Sequence, residues 1–143
     1  MTGSKLPNLT EYQEQVLFVS YLQKLKLEKK IIEYFAIANE NNMSFTNKTV
    51  AIIQSNKAKA SGKKSGVSDI CIILKNRVLF IEMKKSLKIL KNGTPSYSGI
   101  NVSDNQIKFI ETVNKSDSVS ATICYGYLDA KNTINLHLGI NNG

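Results

Sequence analysis

Three residues whose side chains could carry out hydrolytic chemistry, Asp69, Glu82 and Lys84, fall within one largely apolar stretch of the chain. Carboxylates are ligands that Mg²⁺ and Mn²⁺ prefer, with water and substrate phosphate filling the remaining positions. A lysine beside such an ion can hold or help activate a water molecule and can stabilise charge that develops on a phosphate oxygen. Together these residue types indicate metal-dependent chemistry on a phosphate ester, provided that the chain brings them together.

The surrounding sequence predicts a β-hairpin that would do so. Two segments rich in β-branched and apolar residues are separated only by Lys75 and Asn76: 67–74 and 77–83. A two-residue turn between such segments is typical of a hairpin. This turn pairs Asp69 with Glu82, and Lys84 follows on the same face because strand side chains alternate. A turn shifted by one residue keeps the three together, whereas a three-residue loop or a bulge separates them.

The predicted pairing of two carboxylates has an electrostatic cost. Directly opposed Cβ atoms in a sheet are about 5 Å apart, and two negative charges at that distance repel by roughly 3 kcal/mol at an effective dielectric constant of about 20. A bound divalent cation removes the repulsion. We therefore expect Asp69 and Glu82 to bind Mg²⁺ or Mn²⁺, the alternative being two ordinary solvated charges at an exposed strand end.

Segments on both sides of the hairpin resemble those of a known family. In chain order they are EQVLFVSYL (14–22), FAIANENN (35–42), KAKASGKKSGVSDICI (57–72), LFIEMKK (79–85), VSDNQIKFI (102–110) and ATICYGY (121–127). Their order and spacing are similar to those of the PD-(D/E)xK nuclease superfamily, and more closely to its virus-type replication-repair nuclease (VRR-NUC) branch. The resemblance spans most of the chain. It departs at Ser68, where the family usually has proline before the first aspartate.

The resemblance implies an α/β fold with a restriction-endonuclease-like core, a central mixed β-sheet flanked by helices. It implies a Mg²⁺- or Mn²⁺-dependent endodeoxyribonuclease that hydrolyses phosphodiester bonds and leaves 5′-phosphates. Small members of the branch look like homodimeric, structure-specific enzymes that cut branched DNA such as Holliday junctions during replication, recombination or repair, in bacterial or phage-infected cells. The alternative is a catalytically inactive nucleic-acid-binding or accessory protein on the same fold.

The N-terminal helix offers a third acidic residue. Thr10 and Gln13 form a T-x-x-Q capping box, which predicts a helix start. Glu14 is in helical register with Phe18 on the buried stripe, where a carboxylate needs a partner or a metal, and it also matches a glutamate that the family carries near its site. We expect Glu14 to be the third acidic metal ligand. Glu11, whose first-turn position the helix dipole already explains, is the alternative.

The resemblance implies two further contributions to the site. The backbone carbonyl of Met83 would be an additional metal ligand. Gln106 would be a catalytic residue that closes the site, often through water. The S-x-x-Q pattern that begins at Ser103 also predicts that Gln106 completes a capping box, and the two roles are compatible.

Basic residues lie on both sides of the predicted hairpin. Four precede it and one follows Lys84: Lys57, Lys59, Lys63, Lys64 and Lys85. This distribution is typical of phosphate contacts that position a duplex without reading its bases. By resemblance, an Asn-containing loop at Asn39 would lie near the same face. The formal net charge of +8 also favours a polyanionic partner, so we expect branched or duplex DNA.

Composition favours a small globular enzyme. The chain has 143 residues and 42% hydrophobic content, enough for one core without structural metals or disulfides. We assign residues 10–143 to one domain after a flexible leader at 1–9. No apolar run approaches the roughly 18 residues of a membrane span, so we expect a cytoplasmic protein. Cys71 and Cys124 fit reduced core residues, and the single His137 argues against histidine-cluster nucleases.

Periodicity predicts the remaining elements. We expect a strand at 34–38, a helix at 49–60 and a strand at 120–127. We also expect a helix that begins at Ser103 and faces inward through Ile107, Ile110 and Val113. Residues 133–140 (TINLHLGI) alternate as a strand does, whereas members of the family tend to end in a helix. The Gly/Pro/Ser-rich insertion at 92–99 is expected to be mobile and either to contact substrate or to form a dimer arm.

Overall fold

The computed structural model describes residues 8–38 and 47–141 of the chain. In chain order the elements are α1 (Glu11–Leu27), β1 (Glu33–Ala36), α2 (Lys48–Ala60), β2 (Ile70–Ile73), β3 (Val78–Lys84), β4 (Lys88–Ile89), β5 (Pro95–Ser96), α3 (Asp104–Val113), β6 (Val119–Tyr125) and α4 (Tyr127–Leu138). Within these residues, four strands form a sheet in the order β1-β2-β3-β6. Because β3 and β6 are parallel and the other pairs antiparallel, the predicted α/β fold with a mixed sheet is confirmed.

Strands β2 and β3 form the predicted hairpin. They are antiparallel, and Cys71 pairs with Phe80, as a two-residue turn at 75–76 requires. The same register places Asp69, which directly precedes β2, opposite Glu82. The structure therefore contains no slip or bulge within the described hairpin that would move one of these carboxylates to the other face.

The two faces of the sheet are covered by different helices. On one face, alternate side chains of β3 pack in a buried core with α1 and α4: Leu79, Ile81, Met83, Phe18, Leu22 and Ile134. On the other face, Phe80 packs edge-to-face against Phe109 of α3, with ring centroids 5.3 Å apart. Glu82 and Lys84 alternate in step with Phe80, so they lie on the α3 side of the sheet.

Both predicted capping boxes are present. The Thr10 side chain accepts a hydrogen bond from Gln13 N, and the Ser103 side chain accepts one from Gln106 N. These caps fix where α1 and α3 begin. The expected inward position of Ile107 is wrong, because this side chain is 41% exposed and Phe109 makes the contact with the sheet.

The strand interpretation of residues 133–140 is also wrong. Most of this segment belongs to helix α4, in which Ala130 and Ile134 are fully buried at the four-residue spacing of one helix face. The apolar residues that alternate in TINLHLGI are not all buried, since Leu136 is 75% exposed. Packing of α4 against α1 therefore decides the structure of this segment, and the helical ending that the family resemblance implied is confirmed.

Part of the insertion at 92–99 forms a short hairpin with the residues before it, in which β5 pairs with β4. Cys71 and Cys124 are buried free thiols, as predicted. Asn39 and residues 1–7 of the predicted leader lie outside the described residues. In the part of the chain that the structure describes, no helix is long and apolar enough to cross a membrane.

Candidate active site

Glu82 is the centre of a buried polar cluster near the carboxyl end of β3. Its side chain is only 2% exposed. Oε1 accepts a hydrogen bond from Gln106 Nε2 at 2.5 Å and lies 3.6 Å from Lys84 Nζ. Lys84, which is 8% exposed, also donates to Gln106 Oε1 at 3.4 Å. Strand alternation brings Glu82 and Lys84 to one face, and the first turn of α3 brings Gln106 to both of them.

Asp69 joins this cluster from the neighbouring strand. Its Oδ2 accepts a hydrogen bond from Met83 N at 2.8 Å, which ties the residue before β2 to the backbone beside Glu82. The hairpin therefore brings Asp69, Glu82 and Lys84 together, as the register predicts.

The ionisation of Glu82 reflects this environment. Its pKa is raised to about 7, chiefly by burial and in part by the nearby Asp69 carboxylate, while the Lys84 ammonium lowers it. A buried carboxyl group beside a second carboxyl group is costly to ionise without a cation. Perturbed carboxyl groups of this kind are concentrated at functional sites.

One oxygen of the Glu82 carboxylate is available to a ligand. Oε2 is buried and has no hydrogen-bond partner among the described residues. Leaving a buried acceptor unpaired costs roughly 1–3 kcal/mol. A divalent cation shared with Asp69 would satisfy this oxygen, and Mg²⁺ commonly binds through one or two carboxylates while water and phosphate complete its shell. The donor set therefore fits a hard divalent cation.

A third carboxylate does not complete this pair in the structure. Among the described residues, no group of three or more His, Cys, Asp or Glu side chains is arranged to hold a metal ion. The carboxyl group of Glu11 in α1 interacts electrostatically with two members of the cluster. Burial raises the pKa of Glu11, Lys84 lowers it and Asp69 raises it, so the charge of Glu11 interacts with the cluster.

Glu14, the expected helix ligand, makes a different set of contacts. It is buried as predicted, but its Oε1 accepts from Ser86 Oγ at 2.8 Å and its Oε2 accepts from Tyr127 N. Gly126 precedes α4 without a side-chain cap of its own, so Glu14 caps α4 from α1. Helical periodicity predicted the burial, whereas Ser86 and Tyr127 are too distant in sequence to be recognised as its partners.

The fold that carries this site is similar to that of a solved structure. No family model and no curated protein matches the sequence. A solved structure described as a VRR_NUC domain protein matches over 95% of this chain and 93% of that chain, with a TM-score of 0.57 and 18% sequence identity. The chain has the VRR_NUC fold. The predicted resemblance is thereby confirmed for the architecture.

In this VRR_NUC fold, the four lysines that precede the hairpin line a single cleft. The cleft has a volume of about 1010 Å³ and lies between α2, the loop at 61–67 and the start of α3. Its lining includes Lys57, Lys59, Lys63, Lys64, Asn105 and Gln106. Because Gln106 also contacts Glu82, the cleft opens beside the carboxylate pair. Below we call it the basic cleft.

The sequence did not show how Gly66 contributes to this site. Gly66 has φ +84°, and a Cβ there would overlap the Asn105 backbone and lie 2.7 Å from Gln106 N. Only glycine allows the lysine-rich loop to approach α3 this closely. The one available signal was its position three residues before Asp69.

Lys85, the remaining predicted phosphate contact, lies elsewhere. It does not line the basic cleft. Its ammonium lies against Gly99, 3.3 Å from the place where a Cβ would stand, which puts it beside the small β4–β5 hairpin.

Proposed function

We propose that this protein is a metal-dependent DNA endonuclease that hydrolyses phosphodiester bonds and leaves 5′-phosphates. The observation that carries this proposal is the buried Glu82 carboxylate, which has an oxygen without a hydrogen-bond partner among the described residues and lies beside Asp69 and Lys84. A surface that only binds nucleic acid gains nothing from adjacent carboxylates, because they repel phosphate. Shared fold with a VRR_NUC domain protein supports the same reading.

In this proposal Asp69 and Glu82 hold Mg²⁺ or Mn²⁺, together with the backbone carbonyl of Met83. The ion would supply a Lewis acid for the phosphate and a water of lowered pKa. Of the two glutamates of α1, we favour Glu11 as the further acidic ligand. Both oxygens of Glu14 already accept hydrogen bonds, whereas Glu11 interacts with Asp69 and Lys84.

Lys84 and Gln106 have complementary roles in the proposed reaction. The Lys84 ammonium is restrained by Glu82 and Gln106, so it can hold the attacking water or stabilise negative charge on a phosphate oxygen. Gln106 holds Glu82 through its amide nitrogen, and this contact orients the carboxylate. Pre-organisation of this kind matters because misplaced groups lose much of their catalytic effect.

The proposed substrate is branched or duplex DNA. The basic cleft provides phosphate contacts from Lys57, Lys59, Lys63 and Lys64, and such contacts hold DNA without reading its sequence. Structure-specific cutting in replication, recombination or repair, and assembly as a homodimer, are the expectations that the family resemblance adds.

A cleavage panel tests the proposal. Nicked, branched and linear DNA are incubated with the protein in Mg²⁺, Mn²⁺ or EDTA. We expect cutting in Mg²⁺ or Mn²⁺ that EDTA abolishes, and products that DNA ligase joins without prior phosphorylation. Asp69→Asn and Lys84→Met should each reduce the rate at least about 100-fold, because a metal ligand or a charge-stabilising group is lost.

Matched control substitutions lie at the other end of the sheet. Asp117 and Lys115 are exposed and precede β6 at the end opposite the site, so Asp117→Asn and Lys115→Met should cut at the normal rate. If the normal protein cuts no DNA with either metal, or if the Asp69 and Lys84 variants cut as fast as the controls, the proposal is wrong.

A further inference from the structure

The segment that joins β3 to α3 is not used by the proposed reaction, yet its composition suits a nucleic acid. Residues 85–103 contain three lysines, Lys85, Lys88 and Lys91, and no acidic residue. The β4–β5 hairpin in this segment also exposes large apolar side chains, among them Tyr97, which is 56% exposed. An exposed aromatic ring on a cationic segment can contact a base and its phosphates together.

Tyr97 is held in place by a second aromatic residue. Its ring packs edge-to-face on Tyr125, with ring centroids 5.4 Å apart and an interplanar angle of 83°. Tyr125 is the last residue of β6 and is in register with Lys84. Register partners on adjacent strands lie about 5 Å apart and point to the same side of the sheet. The tyrosine pair therefore stands next to Lys84 on the face that carries Glu82.

The tyrosine pair and the basic cleft flank the carboxylates from opposite directions. The strand order is β1-β2-β3-β6. The basic cleft lies beyond β2, where Gly66 and Val67 contribute to its lining, whereas Tyr125 lies on β6. Asp69 and Glu82 fall between them. A DNA strand that runs from the basic cleft across the carboxylates would next meet Tyr97.

We infer that Tyr97, supported by Tyr125, stacks on an unpaired nucleobase next to the scissile phosphate, while the hairpin lysines contact the adjoining backbone. This inference rests on the proposed nuclease function and narrows its substrate to DNA with an unpaired nucleotide at the cut. A base within a duplex has both faces covered by its neighbours, whereas a base at a flap or branch offers a face to an aromatic ring.

A second copy of this chain is a poorer occupant of the same surface. Residues 85–103 carry only positive charges and the whole chain has a formal charge of +8. Two such surfaces repel each other. A polyanion with exposed bases complements both the charge and the ring.

A binding experiment in EDTA tests this site without requiring cleavage. The probe is duplex DNA with a short single-stranded flap that carries 2-aminopurine at its first unpaired position, and the comparison is fully paired duplex DNA. Stacking quenches 2-aminopurine fluorescence. We expect quenching by the normal protein and tighter binding to the flap than to the duplex.

Two substitutions at Tyr97 distinguish stacking by the aromatic ring from a contact that any apolar side chain could make. Tyr97→Leu should weaken flap binding about tenfold and abolish the quenching, because the stacking surface is lost. Duplex binding should be unchanged. Tyr97→Phe keeps the ring and should behave as the normal protein does. Because Tyr97 is largely exposed, both variants should fold; Tyr97→Phe should have the normal melting temperature, and Tyr97→Leu, which loses the ring contact with Tyr125, a slightly lower one.

The outcomes distinguish this inference from the proposed function. If the protein cuts DNA but Tyr97→Leu binds and quenches the flap probe normally, the stacking site is wrong and the nuclease proposal stands. If the flap probe is quenched but no DNA is cut in Mg²⁺ or Mn²⁺, the nuclease proposal fails while stacking is supported. If Tyr97→Leu leaves flap binding unchanged and converts a dimer to a monomer in light scattering, the hairpin is a self-association arm and the inference is overturned.

Discussion

Gln106 joins the start of a helix to the candidate site through one side-chain amide. Its oxygen accepts from Ser103 N at 2.9 Å, which completes the cap of α3, and its nitrogen donates to Glu82 Oε1. The backbone donor fixes the orientation of the amide, because a flipped amide would place its oxygen against the Glu82 carboxylate and its nitrogen against an N–H group. One residue thus couples local folding to the position of the carboxylate.

The buried hydroxyl group of Ser68 lowers the stability of the folded protein. Its Oγ is buried and has no hydrogen-bond partner among the described residues. We expect Ser68→Ala to raise the free energy of unfolding by about 1 kcal/mol, since an unsatisfied buried hydroxyl costs roughly that much. Urea denaturation measures the change. The exposed Ser98→Ala should change stability by less than about 0.5 kcal/mol, and a clear loss of stability in Ser68→Ala would mean that the hydroxyl has a partner.

At the scale of elements, the loop before β2 depends on Gly66 for its contact with α3. A Cβ at Gly66 would overlap the Asn105 backbone, whereas a Cβ at Gly62 would meet no described atom within 4 Å. Both glycines have positive φ, so Gly62→Ala measures backbone strain alone. We expect Gly66→Ala to lower the free energy of unfolding by about 1–2 kcal/mol more than Gly62→Ala, because the backbone of α3 must shift.

Thermal or urea unfolding of the two glycine variants supplies the comparison. Gly66→Ala should also slow DNA cleavage, because the displaced first turn of α3 carries Gln106 away from Glu82. Equal stability of the two variants would contradict the tight packing between loop and helix.

Local sequence patterns predict the register of the β2–β3 hairpin but not the helical structure of α4. The register that places Asp69 opposite Glu82 follows from the length of one turn, which is local information. Burial of Glu14 follows from helical spacing. Its partners Ser86 and Tyr127, and the approach of Glu11 to Lys84, depend on how α1 crosses the end of the sheet. Likewise, residues 133–140 have an ambiguous local pattern, and only packing against α1 makes them helical.

At the scale of the whole molecule, charge is distributed around one buried acidic site. The basic cleft lies on the β2 side of the carboxylates and the lysine-bearing hairpin on the β6 side. Cationic surfaces on both sides favour approach of a polyanion, while the carboxylates between them repel a phosphate more strongly when no cation is bound. Metal binding and DNA binding should therefore be coupled through Glu82.

The raised pKa of Glu82 predicts how the stability of the protein depends on pH. In the folded protein the pKa of Glu82 is raised from its ordinary value of 4.5 to about 7. Between these values the folded state retains a proton that the unfolded state releases, so the free energy of unfolding falls as pH rises. A shift of this size corresponds to about 3 kcal/mol between pH 4.5 and pH 7. Chemical denaturation in EDTA across this range measures the decrease.

The variant Glu82→Gln and the addition of metal each test whether the Glu82 carboxyl group causes this pH dependence. Glu82→Gln removes this titration and keeps those of Glu11 and His137, so the stability of the normal protein relative to Glu82→Gln should fall as pH rises over this range. In the proposed site Mg²⁺ or Mn²⁺ would bind the ionised carboxylate, so either ion should raise the melting temperature of the normal protein more at pH 8 than at pH 6 and should affect Glu82→Gln much less. If the difference in stability between the normal protein and Glu82→Gln in EDTA is flat from pH 5 to pH 8, Glu82 ionises without cost, and the unpaired oxygen then no longer argues for a cation.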